Sequence, residues 1–110
     1  MPTRTLPYSV TTAGGDRFEI DFDLHPETVS PMRVEQLITT ILRAVERDIG
    51  ITGETSNGDV LQAIAMATAI RARMIHAPTE TTERIARDLV NVALRATGQA
   101  THGAPPAGSA

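Results

Sequence analysis

Val60-Leu61-Gln62-Ala63-Ile64-Ala65-Met66-Ala67-Thr68-Ala69-Ile70 decides how this chain is read. The stretch carries no charge and two polar side chains, Gln62 and Thr68, with alanine at every second position from 63 to 69. Asn57-Gly58-Asp59 before it reads as a helix start, and Arg71-Ala72-Arg73 after it as a helix end. A helix that is apolar nearly all round has to be covered on more than one side. Val60, Ala63, Ile64, Ala67, Ile70 and Met74 fall on one face; Leu61, Ala65, Thr68, Ala72 and Ile75 fall on another. Burying a Leu or Ile side chain is worth roughly 1.5–3 kcal/mol, so leaving both faces in water is a large loss. Small domains bury surface poorly. The expectation is a homo-oligomer, through this helix at Val60, Leu61, Ile64, Ala65, Ala67 and Thr68 or through a sheet edge.

The segments before it supply a hairpin and a first helix. Tyr8-Ser9-Val10-Thr11-Thr12 and Phe18-Glu19-Ile20-Asp21-Phe22-Asp23-Leu24 alternate with period two, each a strand with one apolar face. Ala13-Gly14-Gly15-Asp16-Arg17 between them is a turn signal. Facing residues of an antiparallel pair share a face. A two-residue Gly14-Gly15 loop would set Val10 against Glu19, so a loop of three or five residues is expected, with Val10 against Ile20, Tyr8 against Phe22 and Thr12 against Phe18. A lone hairpin is marginal in water and needs its apolar face covered. Ser30-Pro31 opens a helix over 31–49, with Val34, Leu37, Ile38, Ile41, Val45 and Ile49 as its apolar stripe and Gly50 as its stop.

Beyond Ile51–Gly58, read as a polar loop, Ser56 or Asn57 caps the central helix, which extends over 59–76. Ala77-Pro78 breaks it, and Thr79 caps a third helix with the stripe Ile85, Leu89, Val92 and Ala96, ending at Gly98. The short break predicts that the second and third helices run as antiparallel neighbours. The fold class is therefore α+β: an N-terminal two-stranded antiparallel hairpin packed on three helices. Residues 1–5 are read as a flexible start, 6–98 as a single domain, and 99–110, which include His102, as a disordered tail.

Composition narrows the chemistry. With 110 residues, no cysteine and 3% aromatics, the chain has no disulfide, no thiolate and little stacking surface for single-stranded nucleic acid. All ten basic residues are Arg, and the net charge is −3. Residues 1–60 hold most of the acids, while residues 61–110 are net basic. Met1–Pro7 lacks the apolar core of a signal peptide, and the longest uncharged run falls short of the ~20 residues of a membrane span. A cytoplasmic protein is expected, without membrane contact.

The sharpest local pattern is Glu19-x-Asp21-x-Asp23-x-His25. Period two puts these groups on one strand face, and Asp21, Asp23 and His25 are candidate ligands for a divalent cation. Their ~6–7 Å spacing hinders sharing an ion, and a solvated strand face is the simpler reading. Arg84, Arg87 and Arg95 on the third helix outline a DNA-binding surface, but Glu80, Glu83 and Asp88 sit among them. No Gly-x-Ser-x-Gly, Gly-x-x-x-x-Gly-Lys, Gly-x-Gly-x-x-Gly or His-Glu-x-x-His occurs. No catalytic residue and no cofactor are assigned. By elimination, the expected role is that of a small non-catalytic accessory, adaptor or assembly subunit acting through protein contacts. A dimeric DNA-binding regulator and a metal-dependent activity at the acidic strand face are the alternatives.

Overall fold

Strand β1 (Thr5–Thr11) and strand β2 (Arg17–Asp23) form an antiparallel hairpin in the computed structural model, which describes residues 4–103. Helices α1 (Pro31–Thr52), α2 (Asn57–Arg73) and α3 (Thr79–Gly98) follow, and a short strand β3 (Thr101–Gly103) completes a sheet of order β1-β2-β3. The α+β class, the hairpin and the three helices are as the periodicities predict. The chain divides into two units. One comprises the sheet, the segment to Pro31 and α3 from Leu89 onward; the other is Met32–Asp88, with α1, α2 and the start of α3.

The hairpin register differs by two residues from the expected one. Val10 faces Phe18, Tyr8 faces Ile20 and Leu6 faces Phe22. The parity argument holds, because the apolar side chains still share a face, but the loop is Ala13-Gly14-Gly15. The Thr12 N–H donates to the Asp16 carbonyl at 2.8 Å and the Gly15 N–H to the Thr12 carbonyl at 3.0 Å. A three-residue hairpin loop wants its left-handed residue last. Gly15, at φ 92°, fills that place, which sets the loop at 13–15 and brings Val10 opposite Phe18. The Thr12 hydroxyl also accepts the Asp16 N–H at 3.1 Å.

β3 takes up residues 101–103 of the stretch read as tail, with Glu19 facing Thr101, Phe18 facing His102 and Arg17 facing Gly103. No local periodicity announces so short a strand; the free edge of β2 selects it. The His102 ring stacks on Phe18 at 4.8 Å between centroids, and its Nε2 lies 3.4 Å from an Asp16 carboxylate oxygen. Residues 104–110 and 1–3 lie outside the described residues.

α1 begins at Pro31 as expected and runs past Gly50 to Thr52. Gly53, at φ 107°, is the stop, and its N–H donates to the Ile49 carbonyl at 2.8 Å. Helix ends select the glycine that adopts the left-handed conformation, and Gly50 sits inside the helix instead. α2 begins earlier than expected, capped by Ser56, whose side chain accepts the Asp59 N–H at 3.1 Å. It ends at Arg73, with Met74 as its C-cap.

Candidate functional site

α2 is held by its ends. Ser56 caps one terminus, Asp59 lies in the first turn, and Arg71 and Arg73 lie in the last, each sign placed where the helix dipole favours it. Arg73 donates to the Thr79 hydroxyl at the junction with α3.

No side chain of α2 is buried. Of the residues read as an interface, Val60 and Ile64 are half-buried, while Leu61, Ala65, Ala67 and Thr68 are exposed, Leu61 to 70%. The Thr68 hydroxyl donates back to the Ile64 carbonyl at 2.9 Å. That bond satisfies its polarity inside its own helix. Ile70 and Met74, on the face of Val60 and Ile64, stand open. The helix is thus apolar around its circumference and uncovered around most of it.

α1 and α3 repeat the condition. α1 buries no side chain: Val34, Ile38, Val45 and Ile49 are half-buried, and Leu37, Ile41 and Leu42 are exposed. On α3, Leu89, Val90 and Leu94 are exposed, and the buried residue is Thr82, whose hydroxyl donates to the Thr79 carbonyl at 3.1 Å. Across residues 32–88, Thr82 is the one buried side chain, and it is polar. Among the described residues the buried apolar side chains are Leu6 and Ile20, both in the hairpin.

The strand-face candidates do not converge. Asp21 and Asp23 are exposed opposite Pro7 and Thr5. Glu19 is engaged by the Ser9 hydroxyl and by Arg17 at 3.0 Å. His25 lies past the strand, where its Nδ1 accepts the Glu27 N–H at 3.1 Å. That bond occupies the nitrogen nearest the backbone. Among the described residues no three His, Asp or Glu side chains gather as a metal would require.

Arg84, Arg87 and Arg95 are exposed on α3. Glu80 stands four residues before Arg84 and Glu83 four before Arg87, the spacing of helix-surface ion pairs, so the arginine face is interleaved with acids.

Sequence reasoning passed over Arg4. Its guanidinium donates to the carbonyls of Thr28 at 2.7 Å and Pro26 at 3.3 Å, bracing the exit from β2. A lone arginine before a strand carries no local signal of partners twenty-odd residues away. Among the described residues no helix is long and apolar enough to cross a membrane. Searches against protein-family models, curated proteins and solved structures find no match.

Proposed function

We propose that the protein is a non-catalytic accessory or assembly subunit that works through protein contacts, as a homo-oligomer, with the faces of α2 around Val60, Leu61, Ile64, Ala65, Ala67 and Thr68 as its contact surface. One observation carries the reading: the helical unit, residues 32–88, has no buried apolar side chain. Eleven of the fifteen large apolar side chains that stand open among the described residues lie in it. At roughly 1 kcal/mol each for partly exposed groups, against the ~1.5–3 kcal/mol of full burial, covering them is worth about 10 kcal/mol. That equals the whole net stability of an ordinary domain, about 5–15 kcal/mol. A surface of that weight supports a role in which another polypeptide completes the core.

The test is the native mass of the full chain beside Ile64→Glu. The expected result is an oligomer that the variant dissociates; a variant that keeps native mass and stability excludes α2 as the contact. Duplex-DNA binding that weakens steeply with salt would instead favour a regulator using Arg84, Arg87 and Arg95.

A further inference from the structure

α1 carries a sequence that reads alike in both directions. Leu37-Ile38-Thr39-Thr40-Ile41-Leu42 is a palindrome, and Val34 and Val45 extend it by one further mirrored pair. At 3.6 residues per turn, Val34, Leu37, Ile38, Ile41, Leu42 and Val45 share one stripe of the helix. All six are half-buried or exposed, Ile41 to 52%. The apolar segment of α2, Val60 to Ile70, has no such mirror.

A contact with an unrelated surface does not call for a mirrored sequence. A two-fold axis at the centre of the mirror sets each residue level with its counterpart on a second copy, so the stripe meets an identical stripe there. We propose that α1 pairs antiparallel with α1 of a second copy of this chain, about a two-fold axis level with the Thr39–Thr40 peptide.

Three features of the chain fit this occupant. Val34 meets Val45 of the second copy and Ile38 meets Ile41, and their four-three-four spacing is that of a coiled-coil seam. On the flanks, Leu37 lies toward the small Ala44 of the second copy, and Leu42 lies toward the methylenes of Glu35. No like charges meet at these flanking positions. The seam ends at Asp48, level with Pro31 of the second copy, where α1 begins with no acidic side chain in its first turn. A carboxylate at a helix N-terminus is favourable, so each copy supplies the charge that the other's helix lacks. The contact uses α1 alone and stands apart from the role assigned to α2.

The chain has no cysteine, so introduced thiols report cleanly. Val34→Cys and Val45→Cys are made separately in the full chain, mixed to allow subunit exchange, and oxidised mildly. In the antiparallel pair, residue 34 lies roughly 16 Å along the axis from its own copy at 1.5 Å per residue. A disulfide spans a Cα separation of up to ~7 Å, so neither variant links to itself. The mixture is expected to form the covalent dimer in at least roughly tenfold excess over either variant alone, since only there do the thiols meet. Self-linking of a single variant at the level of the mixture overturns the proposal. So does an unlinked mixture whose mass is still that of an oligomer, and that result leaves the α2 reading standing.

Ile38→Glu is expected to weaken the dimer by roughly a hundredfold or more, because the seam would bury an unpaired charge. Ile51→Glu lies outside the mirror, at a side chain 81% exposed, and is expected to change affinity by less than about threefold. Equal effects from the two variants would also overturn the proposal.

Discussion

The sheet unit and the helical unit are built from the same aliphatic alphabet and differ in what they can hide. In the hairpin, Leu6 and Ile20 are buried, and Tyr8, Val10, Phe18 and Phe22 beside them are half-buried. The opposite face is polar and cross-linked by Ser9, Glu19 and Arg17. Residues 32–88 form long, well-capped helices with apolar stripes and bury none of those stripes. Backbone hydrogen bonds and caps are enough to specify a helix, whereas holding it in water takes packing of its apolar face. The helical unit therefore leaves its apolar stripes open in a way the hairpin does not.

The contrast can be broken most severely by dilution or by Ile64→Glu. Dilution is expected to remove most of the helical circular dichroism together with every contact between copies, and Ile64→Glu the part that depends on the α2 contact. A variant that dissociates with its helices intact would show that α1 and α2 stand alone. Within the hairpin, Ile20→Ala removes one of two buried apolar side chains and is expected to cost about 2–5 kcal/mol in chemical denaturation. A cost below ~1 kcal/mol would mean that Ile20 is not part of a packed core.

Two glycines of one helix sharpen the comparison with opposite signs. Gly53 adopts φ 107°, so Gly53→Ala is expected to destabilise by about 1–2 kcal/mol. Gly50 lies within α1 with open space where a Cβ would stand, so Gly50→Ala is expected to stabilise by about 0.5–1 kcal/mol. The same sign for both would mean that α1 ends at Gly50. The smallest effect belongs to β3. His102→Ala removes the stack on Phe18 and is expected to cost about 0.5–1.5 kcal/mol. The exposed contact to Asp16 adds little to that. No change in the hairpin's amide exchange would mean that β3 does not hold the edge of β2.

What could be read from the chain follows the range of the forces involved. Period-two and helical spacing are local, and they announce both strands and all three helices. Register needed the turn as well: parity named the shared face, but the left-handed place of Gly15 chose Phe18 over Ile20 as the partner of Val10. The end of α1 depended on which of two glycines turned left-handed, and composition does not distinguish Gly50 from Gly53. β3 and the bracing by Arg4 are held by partners far along the chain and leave no periodic trace. Of the candidate site, the double-sided character of α2 was legible because it is compositional. The spread of Asp21, Asp23 and His25 was foreshadowed by strand spacing.

The central claim is that residues 32–88 find their apolar cover on another copy of the chain. Sedimentation equilibrium of the full-length protein measures it most directly. The account predicts a mass of at least twice 11.8 kDa, falling together with helical content as the protein is diluted. A single species of 11.8 kDa that keeps its full helical content at every concentration would contradict it.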